Sequence, residues 1–159
     1  MRLAMEYTAL DSISIKYFPS DFQLRTCSED ELLAIISFLQ GNFPGDWQGK
    51  LWEKYYSSQR KLRIISLYLE KRPVAAAIAQ TTSANVGILS MVAVDPDFRR
   101  QGLGEIVVSA ALDFLKKAGQ EKAVLCTDSF RFSALRFYLK LGFQPLILKQ
   151  EHKACWRGV

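Results

Sequence analysis

Apolar and polar positions along this chain alternate or cycle in patterns that predict strands interleaved with helices. Val86–Val94 (VGILSMVAV) is almost unbroken apolar, which predicts a central strand buried on both faces. Leu62–Glu70 alternates, with Ile65, Leu67 and Leu69 on one face; Lys71-Arg72-Pro73 predicts a turn and Val74–Gln80 the paired strand. Ala123–Thr127 predicts another buried strand. From Leu103, residues Ile106, Val107, Ala110, Ala111, Phe114 and Leu115 recur at helical spacing, and Gly119 suits the position just past the helix end. Upstream, Asp11–Phe18 alternates through Ile13, Ile15 and Tyr17, predicting an extra or edge strand, and Phe22–Thr26 predicts a short one. Ser28-Glu29-Asp30-Glu31 has capping-box form and opens a helix carrying Leu32, Leu33, Ile36 and Leu39 that stops near Gly41. Phe43–Trp47 is turn-rich, and a second, aromatic-rich helix follows through about Ser57. Asp128 or Ser129 is the expected cap of a helix ending at Gly142; Phe143–Lys149 and His152–Arg157 predict a closing hairpin. This order calls for an α/β (α+β) fold, a mixed sheet of about six or seven strands flanked by about four helices.

Length and composition narrow the class. At 159 residues, 49% hydrophobic and 23% charged, the chain reads as one globular domain over residues 1–159. No apolar run approaches the ~20 residues of a membrane span, and MRLAMEYTAL has no signal-peptide pattern. Three cysteines, Cys27, Cys126 and Cys155, without C-x-x-C spacing argue against a disulfide framework or a metal site and for a cytoplasmic setting. A net charge of +5 suits an anionic ligand or a plain soluble surface equally.

The chemistry concentrates after the central strand. Val94 is followed by Asp95-Pro96, then Arg99-Arg100-Gln101-Gly102-Leu103-Gly104, then the periodic helix. Glycine removes the Cβ that would block close backbone approach. The first turn of a helix offers unpaired N–H groups and the positive end of a dipole, and arginines add fixed charge. These are the parts of a diphosphate cradle. A dinucleotide G-x-G-x-x-G site does not fit: the third glycine position is Val107, seven residues separate Val94 from Gly102, and only 55 follow Gly104. A P-loop is excluded because no G-x-x-x-x-G-K-[ST] occurs.

The run from the strand through Arg99-Arg100-Gln101-Gly102-Leu103-Gly104 resembles motif A of the GNAT superfamily of acyl-CoA-dependent N-acyltransferases. A second match lies downstream, where Ser133-Ala134-Leu135-Arg136-Phe137-Tyr138-Leu139-Lys140-Leu141-Gly142-Phe143 resembles that family's late helix, A-x-x-F-Y-x-x-x-G-F. Together they cover roughly residues 62–158, and the N-terminal third matches only in element order.

The resemblance implies acetyl-CoA as cosubstrate, no metal, and an amine acceptor. Arg99, Arg100, Gln101, Gly102, Leu103 and Gly104 would hold the CoA diphosphate. The backbone of Val92, Ala93 and Val94 would pair with the pantetheine arm, as an added strand does, with one N–H polarising the thioester carbonyl. Tyr138 would protonate the departing thiolate; a tyrosine's ordinary pKa of ~10 keeps it a donor at neutral pH. One position departs from the pattern. The family commonly places Asn seven residues before this tyrosine, and here Arg131 stands there; unable to accept a hydrogen bond, it would reach the CoA phosphates or be solvated.

An attacking amine of pKa ~10.4 must first lose a proton. Glu53, Glu70, Asp46 and the lone His152 are the candidate bases, and none has decisive spacing. Cys126, in a predicted buried strand, is a weak nucleophile candidate. Phe43, Trp47, Trp52, Tyr55 and Tyr56 form an aromatic cluster that is either core or an acceptor-site wall, with Phe43 and Trp47 the candidate substrate contacts. The basic groups around Arg60-Lys61-x-Arg63 and Lys71-Arg72 lack any stacking platform, so they read as solvated surface rather than a nucleic-acid site. A catalytically silent CoA-binding sensor is the alternative to an N-acetyltransferase. Acceptor, acyl chain and oligomeric state, a homodimer among the options, stay open.

Overall fold

A computed structural model describes residues 1–43 and 62–159. Seven strands form one sheet: β1 (Arg2–Tyr7), β2 (Phe22–Thr26), β3 (Leu62–Leu69), β4 (Arg72–Gln80), β5 (Val86–Val94), β6 (Lys122–Asp128) and β7 (Gln144–Leu146), in the spatial order β2-β3-β4-β5-β6-β1-β7. Neighbours pair antiparallel except β5 and β6, which are parallel, so the sheet is mixed as expected. Four α-helices occur among the described residues: α1 (Leu32–Asn42), α2 (Leu103–Lys117), α3 (Phe132–Leu141) and α4 (Gln150–Trp156).

Strand alternation sorts the core into two clusters. Ile65 and Leu67 of β3, and Ala75, Ala77 and Ala79 of β4, pack with Ile106, Val107 and Ala111 of α2. Their sequence neighbours Ile64, Tyr68, Ala76 and Ile78 pack on the opposite face with Ile35, Ile36 and Leu39 of α1. Odd and even positions thus serve different helices, which is why β3 and β4 are buried on both sides. The capping box forms as predicted, with the Ser28 N–H donating to Glu31 Oε2 at 3.3 Å; a 3-10 turn at Glu29–Glu31 precedes α1. Past the end of α2, the N–H groups of Gly119 and Gln120 donate to the carbonyls of Lys116 and Leu115, the Schellman pattern.

Several expectations need correction. Asp11–Phe18 is not a strand. A 3-10 turn occupies Leu10–Ser12, and Tyr17 is 91% exposed. The backbone that follows is tied to α2 instead: Lys16 N–H donates to Ser109 Oγ, and Lys116 Nζ donates to the Ile13 carbonyl, both at 2.9 Å. The N-terminal strand is Arg2–Tyr7, inserted between β6 and β7 with Leu3, Met5 and Tyr7 buried. The closing hairpin is absent as well. Strand β7 is three residues long at the sheet edge, where Pro145 is tolerated, and the residues after it form α4, which buries His152. The turn between β3 and β4 sits at Glu70-Lys71, leaving Arg72 and Pro73 inside β4. Neither Asp128 nor Ser129 caps α3; Arg131 occupies the N-cap without a side-chain hydrogen bond. The predicted second helix, with Trp52, Tyr55 and Tyr56, lies outside the described residues.

Candidate active site

The site begins with a separation of strands. β5 pairs with β6 only at Val86, Gly87 and Ile88, although β6 continues to Asp128. From Leu89 onward the β6 side of β5 has no ladder partner, so backbone N–H and C=O groups face an open cleft. A bulge accompanies the opening. Ala76 pairs with Ala93 but Ile78 pairs with Ser90, leaving two β5 residues opposite Ala77. One of them, Met91, has φ +50, an uncommon conformation for a bulky residue. A bulge increases local twist, and here it coincides with the point where β5 leaves its neighbour.

Two cavities occupy the cleft. The first, about 830 Å³, runs from Val92, Ala93 and Val94 along the glycine loop to α3. The second, about 660 Å³, lies between β5 and β6 and includes Ser90, Cys126 and Asp128. Both are lined by Phe43, Val92, Arg131, Ala134 and Tyr138, so Tyr138 stands where they meet.

The loop at the far end of the first cavity is held by Asp95. Its carboxylate takes Arg72 Nη2 at 2.6 Å and the Asp97 N–H at 2.9 Å, while its own N–H donates to the Val74 carbonyl at 2.8 Å. The Arg72 hydrogen bond, seconded by that of Asp97, holds the Asp95 carboxyl below its ordinary pKa. The chain then takes left-handed conformations at Arg100 (φ +64) and Gly102 (φ +76), and Gly102 becomes the N-cap of α2 with no side-chain cap. The Ile106 N–H donates to the Gly102 carbonyl at 3.3 Å, so Leu103, Gly104 and Glu105 contribute the first-turn amides, and all three line the cavity. A Cβ on Gly104 would stand 3.1 Å from Phe137 Cζ, so glycine lets α2 approach α3. Charged lining groups are Arg99, Arg100, Arg131 and Lys140 against Glu105. Uncapped amides plus this basic excess fit a polyanion such as the CoA diphosphate.

Tyr138 is fixed by the end of its own helix. Gly142 adopts φ +104, and the Phe143 N–H reaches back 3.0 Å to the Tyr138 carbonyl. The Phe143 ring then packs on Tyr138 at 5.5 Å between centroids, and Phe137 at 5.2 Å. The spacing Y-x-x-x-G-F therefore has a local cause: the glycine turns the chain so that the next aromatic locks the tyrosine. Burial pushes the Tyr138 hydroxyl up to about 12, with nearby Arg131 opposing the shift. The group is a proton donor throughout the neutral range.

Most of the sequence-predicted residues converge here. Val92, Ala93, Val94, Arg99, Arg100, Gly102, Leu103 and Gly104 line the first cavity with Arg131, Phe43 and Tyr138. Gln101 is exposed and not in the lining, and Trp47 lies outside the described residues. Among the base candidates, Glu70 sits in the β3–β4 turn and His152 is buried in α4, neither lining a cavity; Asp46 and Glu53 lie outside the described residues. Cys126 is exposed and lines the second cavity, not buried as expected. Sequence reading missed Phe130 and Phe132 at the first cavity and Arg2, Ser90 and Asp128 at the second. Only the strand alternation of β6, which faces Cys126 and Asp128 alike, could have suggested the last. No helix among the described residues is long and apolar enough to cross a membrane.

Comparison with known proteins adds the family. The profile of the acetyltransferase (GNAT) family matches residues 32–143. The [ribosomal protein bS18]-alanine N-acetyltransferase of Escherichia coli is 30% identical over 101 residues, 63% of this chain and 68% of that protein. Among solved structures, a GCN5-related N-acetyltransferase from Kribbella flavida superposes with a TM-score of 0.68 at 19% identity over 91% of this chain, which spans 55% of that longer one. AAC(6')-Iy, in complex with the bisubstrate analogue CoA-S-monomethyl-acetylneamine, gives a TM-score of 0.69 at 16% identity over 77% of this chain and 90% of that one.

Proposed function

The chain belongs to the acetyltransferase (GNAT) family, and on that premise we propose that it moves an acetyl group from acetyl-CoA to a primary amine of a small molecule or peptide, in a ternary complex. In this reading the free-base amine nitrogen attacks the thioester carbonyl carbon, the C–S bond breaks, and the Tyr138 hydroxyl supplies a proton to the departing thiolate. The surplus proton of the nitrogen leaves to solvent, from which Tyr138 is reprotonated. Arg99, Arg100 and the first-turn amides of α2 bind the diphosphate. The unpaired backbone of Val92–Val94 orients the pantetheine arm and offers an N–H to the carbonyl oxygen. The acceptor enters through the second cavity. Residues 1–159 act as one domain, in the cytoplasm.

The observation that carries this reading is the position of Tyr138, held protonated at the junction of two cavities, one suited to a polyanion. A fold relative that holds a CoA bisubstrate analogue supports it. The test is thiol release from acetyl-CoA across a panel of primary amines. Replacing Tyr138 with Phe is expected to lower kcat about 10²-fold, the usual scale of lost general-acid help, with acetyl-CoA binding retained. Full activity in Tyr138→Phe would remove the tyrosine from the mechanism.

A further inference from the structure

The second cavity carries information about the acceptor that family membership does not. Its charged lining consists of Arg2, Arg131 and Asp128. Asp128 faces both: Arg131 Nε lies 3.8 Å from its Oδ2, and Arg2 is its backbone partner in the β1–β6 register. That leaves an excess of positive charge in the wall. Arg2 lines the second cavity and not the first, so it is placed for an acceptor and not for CoA.

Arg131 is the better placed of the two. It sits at the N-cap of α3, at the mouth shared by both cavities, with its guanidinium 5.8 Å from the Phe43 ring centre. The 3.8 Å contact to Asp128 is too long for a hydrogen bond, and among the described residues its side chain makes none. A guanidinium is a planar fork of donors that matches a carboxylate in two-point fashion. Donors left open at a cavity wall favour a ligand that fills them. A polycationic acceptor would meet two arginines against one carboxylate, which already lies beside Arg131, an unfavourable field.

Resting on the acetyl-transfer reading above, we propose that the acceptor is a small amine that also bears a carboxylate, held by Arg131 with Arg2 behind it. Arg131, which lines both cavities, is then a specificity-determining residue.

The test compares matched acceptors. Amino acids of increasing amine-to-carboxylate spacing are assayed by thiol release from acetyl-CoA, each beside its carboxamide, with spermidine as the polycation. The expected result is a kcat/KM for at least one free acid about tenfold or more above its carboxamide, the scale of a charge-assisted pair. Arg131→Gln is expected to erase that preference, cutting kcat/KM for the free acid about tenfold further than for its carboxamide, beyond any loss the two acceptors share through the first cavity. Arg2→Gln is expected to weaken it partially. Equal rates for acid and carboxamide, a preference for spermidine, an equal loss on both acceptors in Arg131→Gln, or no turnover of any acid while acetyl-CoA still binds would each overturn the proposal. Loss of acetyl-CoA binding itself, read by calorimetry, would instead strike the transfer reading on which it rests.

Discussion

Tyr138 shows how a single residue's place in a motif can be legible and its environment not. The motif around it pointed to the tyrosine, and helix termination at Gly142 explains why an aromatic follows. Its burial, and the rise of its hydroxyl pKa to about 12, depend on Phe137, Phe143 and the cleft walls meeting in space. The shift has a measurable consequence. A tyrosine in the unfolded chain releases its proton near the ordinary value of 10.0, while in the folded protein Tyr138 holds it to about 12. Between these values the folded state binds more protons, so this group's contribution to stability falls as pH rises. Cys27, raised to about 11 mainly by burial, adds a similar trend in wild type and variant alike. Denaturation of Tyr138→Phe and wild type at pH 9 to 11.5 is therefore expected to show the variant gaining relative stability across the window; a constant difference would contradict the buried, neutral hydroxyl. Arg131 is the complementary case. Its departure from the family pattern was visible in sequence, but its place between two cavities rather than beside CoA alone required the fold.

Among the elements, those with strong local chemistry were legible. α2 carries unambiguous periodicity, β5 stands out as an apolar run although it is not buried on both faces as expected, with Ser90 exposed, and the capping box before α1 forms from four consecutive residues. Ser28→Ala is expected to cost about 1 kcal/mol in chemical denaturation, as loss of an N-cap does, whereas an unchanged midpoint would mean that α1 is held by its packing alone. The misread elements share a cause: alternation says nothing about whether a partner strand exists. Ile13, Ile15 and Tyr17 alternate without an edge to join, while the equally short Leu3-Met5-Tyr7 pattern finds edges on both sides. The C-terminal residues 150–156 are too few for periodicity to decide, and they form a helix with His152 as its buried residue. The bulge at Met91 leaves no signature at all, because the left-handed residue is not glycine.

At the scale of the whole molecule, the candidate site arises where the sheet fails to close. Parallel pairing of β5 and β6 ends after three residues, and the opening is bounded by the glycine loop at one end and by β6 and Arg2 at the other. Sequence supplied the loop and the tyrosine as two motifs about thirty residues apart; the splayed strands join them into one cleft. The central claim is that the uncapped start of α2 binds the CoA diphosphate. Calorimetric titration of acetyl-CoA into wild type and Gly102→Glu tests it most directly. A Cβ at position 102 meets nothing within 4 Å, so the side chain starts in open space, and its positive φ costs about 1 kcal/mol of stability. It also sets a carboxylate against the anion's amides. Saturable binding by wild type, lost in a Gly102→Glu protein that still melts cooperatively, is the predicted result. Equal binding by both, or none by wild type, would contradict it.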